Sequence, residues 1–181
     1  MHQAWGRGLA SQIDPTARFS RVLSPVASGV FTVLTNASQV DPLTVEGRPG
    51  MSGIHTGMTN SKNTPIEALE RSFPLRVLRY QLREGSGGAG RFAGGEGIER
   101  DLQVLDDCTL SLITERRASR PPGRAGGDPG AVGENWILPG GFERLAKRLP
   151  DKCTINLKSG DVLRILTPGG GGWGSVERAP G

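Results

Sequence analysis

Aromatic residues make up only 5% of this 181-residue chain, and it holds just two histidines and two cysteines. So few Phe and Tyr side chains cannot build a base-stacking platform. The net charge of +4 comes from basic residues interleaved with acids, as in Glu99-Arg100-Asp101 and Glu115-Arg116-Arg117. That pattern describes a solvated surface, so no nucleic-acid partner is expected. No apolar run approaches the roughly 20 residues of a membrane helix, and the N-terminus has no apolar signal core. A cytoplasmic location with no membrane partner is therefore expected. Cys108 and Cys153 fall on apolar faces of predicted strands, as small buried thiols in a reducing compartment. His2 and His55 are too few for a metal site of three or four ligands, so no metal is expected in this chain. There is no Gly-x-x-x-x-Gly-Lys-Ser/Thr run and no Gly-x-Gly-x-x-Gly between a strand and a helix. Neither kind of nucleotide loop is expected. A Gly-x-Ser-x-Gly elbow is also missing.

What the chain has instead is glycine, 28 residues, and proline, 13, against a hydrophobic content of 35%. With neither a Gly-X-Y period nor a repeat, such a composition fits short strands joined by tight turns. Residues 1–46 form a poorly defined segment, in which Val30 to Thr35 fits one strand. Turn residues around 44–53 mark a boundary. Thr64-Pro65-Ile66-Glu67 is a capping box with proline in the first helical position, and Pro74 stops that helix early. This places one short helix near residues 65–72, with Ile66 and Leu69 toward the core.

Period-two patterns follow. Leu78, Tyr80 and Leu82 alternate with Arg79, Gln81 and Arg83, which predicts one buried and one wet face. Residues 98–105 form a weaker strand. Cys108 to Ile113 and Cys153 to Lys158 alternate clearly. Ser159-Gly160-Asp161 then predicts a hairpin into Val162 to Leu166. The fold class expected is mainly β: a β-sandwich or distorted barrel of short strands with long Gly-rich loops. Residues 47–176 form its main region and residues 177–181 a tail.

Three glycine clusters separate the strands, at residues 85–97, 121–133 and 168–174. For the first two, turns and bulges with positive φ are the favoured reading. Four consecutive glycines, Gly169, Gly170, Gly171 and Gly172, suggest close approach to another chain or a ligand. The loop from His55 through Thr59, Asn60 and Asn63 to Thr64 is rich in hydroxyls and amides. It fits a turn leading into the helix cap, and equally a loop orienting a small amide substrate. Arg116 and Arg117 fit either an anion clamp or an exposed, ion-paired strand end.

Taken in order, these motifs resemble the hydantoinase B/oxoprolinase family. The resemblance runs from Ile54-His55-Thr56-Gly57-Met58-Thr59-Asn60-Ser61-Lys62-Asn63-Thr64-Pro65-Ile66-Glu67, through Ser86-Gly87-Gly88-Ala89-Gly90 and Gly94-Gly95-Glu96-Gly97. Thr114-Glu115-Arg116-Arg117 and Pro122-Gly123 continue it to Thr167-Pro168-Gly169-Gly170-Gly171-Gly172-Trp173-Gly174. The resemblance implies an ATP-dependent hydrolase of cyclic amides such as hydantoins or 5-oxoproline. It implies a hydantoinase A-type, actin-like ATPase partner that phosphorylates the amide oxygen, and an oligomeric assembly. ATP and a divalent metal are implied for the whole enzyme, none for this chain. The family's B part is several times longer, so the chain is expected to be a C-terminal fragment that is inactive alone. The alternatives are a non-catalytic β-sandwich interaction module and a component of a related ATP-dependent ketone carboxylase.

Overall fold

The computed structural model describes residues 29–35, 47–53 and 65–175. Among these residues eight strands form two open sheets. In chain order they are β1 (Gly29–Thr35), β2 (Leu75–Arg83), β3 (Gly97–Val104), β4 (Cys108–Thr114), β5 (Glu134–Leu138), β6 (Lys147–Leu149), β7 (Lys152–Leu157) and β8 (Val162–Leu166). One helix, α1 (Ile66–Ser72), precedes β2. The larger sheet has the order β2-β3-β8-β5-β6 and is antiparallel throughout. The smaller has the order β1-β4-β7, with β4 and β7 antiparallel and β1 parallel to β4.

The two sheets share one core. Cys108, Leu110, Leu112 and Leu157 of the small sheet pack with Leu75, Leu102, Val104, Leu163 and Ile165 of the large one. Leu69 of α1 closes the same cluster. Among the described residues the expected mainly β fold is thus a sandwich with one short α-helix, and neither sheet closes into a barrel. β4 shows the alternation that its sequence predicts, with Leu110 and Leu112 inside and Ile113 outside. Its outer face carries a Thr109 to Asn156 hydrogen bond and a Ser111–Thr154 hydroxyl pair across to β7. Cys108 is buried, Cys153 is half-buried, and both are free thiols.

Three expectations are corrected. Leu78, Tyr80 and Leu82 are exposed rather than buried. A bulge between Val77 and Arg79 shifts the register of β2 against β3. Leu78 becomes the extra residue, and Tyr80 and Leu82 follow Leu75 and Val77 on the core-side face beyond the reach of the second sheet. Next, Ser159-Gly160-Asp161 does not close a hairpin, because β7 and β8 lie in different sheets. Gly160, at φ +92, turns a corner that hands the chain from one sheet to the other. The Asp161 carboxylate fixes that corner by accepting from the amides of Lys158 and Gly140. Finally, α1 starts at Ile66 with Pro65 as N-cap and no side-chain cap, so proline stands one position before the first helical residue. Thr64 lies outside the described residues. β5 and β6 are too short to show a period, and the sequence pattern does not predict them.

The outer face of the large sheet is a charge lattice. Arg164 pairs with Asp101 at 2.8 Å and with Glu143 at 2.6 Å, while Arg79 pairs with Glu99. Asp101 is only 4% exposed, so its two hydrogen bonds from Arg164 offset the burial of its charge.

Truncating Leu110, with no exposed surface, to alanine leaves a cavity between the sheets. The expected loss is about 2–5 kcal/mol, read from urea unfolding midpoints. Burial lifts the Cys108 thiol from its ordinary value of 9.0 to about 11. The folded state therefore holds a proton that the unfolded state releases between those values, and stability falls as pH rises through that window. Replacing Cys108 with alanine should flatten this slope in thermal melts recorded across it.

Candidate functional site

The three glycine clusters converge on one body. The first connects β2 to β3, the second connects β4 to β5, and the third leaves β8. Pro168 to Gly174 forms the axis, and its successive residues bond to different neighbours. Gly169, Gly170, Gly172 and Trp173 donate to the carbonyls of Ala131, Gly95, Asp128 and Phe92 in turn. The Gly170 and Gly172 carbonyls accept from the amides of Gly88 and Arg124. A β-strand would bond to one partner per edge. An axis that serves several flanking segments resembles the packing of extended chains in collagen, where only glycine fits the crowded centre.

Positive φ explains few of these glycines. Of the glycines within the clusters only Gly85, Gly126 and Gly174 adopt it, with Ala125 beside them, which corrects the expectation of left-handed turns and bulges for most of the first two clusters. Steric closeness explains the others. A methyl group on Gly169 would overlap the carbonyl oxygen of Ser86, one on Gly171 that of Pro122, and one on Gly172 that of Ala89. The close approach expected of the third cluster is therefore met by this chain's own backbone. Gly169, Gly171 and Gly172 are buried and Gly170 is half-buried.

Two side chains lock the body to the sheets. The Ser86 hydroxyl donates to the Arg83 carbonyl at 2.6 Å and accepts from the Gly97 amide at 2.8 Å. The Thr167 hydroxyl accepts from the Ile98 amide at 2.6 Å. At the far end Trp173 packs against Phe92, ring centroids 5.9 Å apart, in the tilted arrangement that aromatic pairs favour. An open cleft of about 330 Å³ lies on the body's flank, between Gly87–Ala89 on one side and Arg120 and Asp128 on the other.

Arg116 and Arg117 differ in role. Arg116 adopts φ +57 as the chain leaves β4. Arg117 turns inward and donates from Nε and Nη2 to the Asn135 side-chain oxygen at 3.2 and 2.9 Å. Asn135, fully buried, donates in turn to the Thr114 hydroxyl at 2.8 Å. Burial, with the nearby Arg83 charge, lowers Arg117 to about 10, so it stays protonated at neutral pH. This network ties the end of β4 to β5. His55, Thr59, Asn60 and Asn63 lie outside the described residues. Among the described residues no group of three or more His, Cys, Asp or Glu side chains could hold a metal. The divalent metal implied for the whole enzyme finds no donor set there. Likewise, no helix among the described residues is long and apolar enough to cross a membrane.

The hydantoinase B/oxoprolinase family profile matches residues 44–176. The chain belongs to this family. It is 39% identical over 126 residues to 5-oxoprolinase 1 of Arabidopsis thaliana, covering 70% of this chain and 10% of that protein. It is 35% identical over 136 residues to the B component of a putative D-/L-hydantoinase from a Pseudomonas species, covering 74% of this chain and 23% of that one. The solved ATP-dependent caprolactamase of Pseudomonas jessenii superposes with a TM-score of 0.57 at 28% identity. That superposition covers 64% of this chain and 21% of the caprolactamase chain. The family member described here therefore spans about a tenth to a quarter of the length of these relatives.

Backbone crowding and left-handed φ separate experimentally. Gly169→Ala meets a backbone carbonyl that cannot swing away, so a loss of about 3 kcal/mol or more is expected, above the usual range for overpacking. Gly160→Ala has open space around it and only the left-handed penalty, about 1–2 kcal/mol. Chemical denaturation of both variants checks the order, and equal losses would refute the steric account.

Proposed function

We propose that this chain is one part of an ATP-dependent hydrolase of cyclic amides and that it is inactive alone. The observation that carries the reading is the family match over residues 44–176, with relatives named as a 5-oxoprolinase and as the B component of a hydantoinase. The caprolactamase likeness supports a cyclic amide as the substrate class and ATP as the energy source. On this reading a hydantoinase A-type ATPase partner activates the amide oxygen by phosphorylation. The remainder of the B polypeptide supplies the metal and the hydrolytic centre.

The part assigned to this chain is structural support with one contribution to the substrate site. Nothing in the glycine body pairs a nucleophile with a base, and its amides and carbonyls are largely spent on one another. The polar run with His55, Thr59, Asn60 and Asn63 offers neutral donors and acceptors suited to holding a ring amide, and we assign it that contact. Arg117 supports the scaffold through Asn135.

The test is turnover. The purified chain, given ATP and hydantoin or 5-oxoproline, should release no ring-opened product. Activity should appear only when the remaining B polypeptide and the A-type ATPase are added. In that assembly Asn63→Ala should lower kcat/KM about tenfold or more, as expected when an oriented hydrogen bond to substrate is lost. Turnover by the chain alone would refute the proposal. Product formation that requires bicarbonate and a ketone would assign the chain to a carboxylase instead.

A further inference from the structure

The core-side face of the large sheet is only partly covered. Along β2 it presents Leu75 and Val77, then, past the bulge, Tyr80 and Leu82; along β3 it presents Val104, Leu102, Arg100 and Ile98. Leu75, Leu102 and Val104 are sealed by the second sheet, whereas Tyr80 is 43% and Leu82 46% exposed. Met51, 49% exposed, lies on the 47–53 segment, whose Gly53 borders Leu82.

Arg100 sits within this apolar strip, between Tyr80 on β2 and Ile165 on β8. Its guanidinium carbon is 5.6 Å from the centroid of the Tyr80 ring. Its Nε is buried without a hydrogen-bond acceptor. The arginines of the opposite face and the sheet end, Arg79, Arg83 and Arg164, each pair with a carboxylate. Among the described residues no carboxylate pairs with Arg100. Burial pushes its pKa down, so the charged form is held at a cost that an anion would relieve. A half-buried cation beside the exposed Tyr80 and Leu82 side chains matches a carboxylate flanked by apolar groups.

We propose that the Tyr80–Leu82–Arg100 face is a docking surface for a polypeptide segment that places a carboxylate on Arg100 between apolar side chains. The segment comes from the remainder of the hydantoinase B-type enzyme, an attribution that rests on the family reading, since the relatives carry most of their length outside the matched stretch. Arg100 supplies specificity by charge, and Tyr80 and Leu82 supply apolar area.

The probes are two short peptides, acetyl-Leu-Glu-Leu-amide and its Gln counterpart, titrated against the whole chain. The readout is the NMR signals of the Arg100 Nε–H and the Tyr80 ring. The Glu peptide should shift both signals saturably. The Gln peptide should bind about tenfold more weakly, as expected for loss of one charge-assisted hydrogen bond. Arg100→Met should abolish the preference. Leu82→Ser, at an exposed position that leaves folding intact, should weaken both peptides and keeps the test decisive if the Arg100 variant misfolds. Absence of a saturable shift, or equal affinity for the two peptides, overturns the proposal. Concentration-dependent dimerisation that Leu82→Lys abolishes in sedimentation also overturns it, by assigning the face to a second copy. The peptides need no ATP, metal or ATPase partner, so failure of the turnover reading leaves this outcome independent.

Discussion

Much of the packing around the Pro168–Gly174 axis follows from one steric fact: the α-carbons of Gly169, Gly171 and Gly172 lie against the carbonyl oxygens of neighbouring segments. Side chains are excluded there, and the bare backbone bonds to several segments at once. Those segments are the β2–β3 and β4–β5 connections. In most sandwiches such connections are independent loops. Here they share a common axis, so the ends of strands from both sheets are held in one body. Ser86 and Thr167 carry the alignment into β3, and the Arg117–Asn135–Thr114 network carries it across to β4 and β5.

Much of the sandwich was legible in the sequence because β4 and β7 alternate cleanly and each buries one face. The glycine content was legible too, but its cause was not. Composition cannot distinguish a glycine needed for φ from one needed for contact, since the contact partner lies tens of residues away. The corner at Ser159–Asp161 failed for a related reason. A short glycine-containing turn looks the same whether the strands that follow pair with each other or diverge into two sheets.

Arg100 is a different case, because its signal was present. It keeps the period of Ile98, Leu102 and Val104, so alternation alone places it on the apolar side. The neighbouring acids Glu99 and Asp101 made it look like part of a solvated charge run. In the fold those acids face the opposite way and are taken by Arg79 and Arg164. The bulge in β2 hid the other half of the face by putting Leu78 out of phase with Tyr80. The polar run around His55 is the part of the candidate site on which the fold adds nothing to the sequence.

The glycine body also has a genetic consequence. At most protein positions some replacement is nearly neutral, and sequences drift through such neighbours. Every amino-acid change from glycine adds at least a Cβ. At Gly169, Gly171 and Gly172 that atom collides with main chain rather than with a side chain able to repack. Third-base changes in these codons are silent, but every replacement of the amino acid meets main chain, so the three positions hold glycine by steric necessity alone.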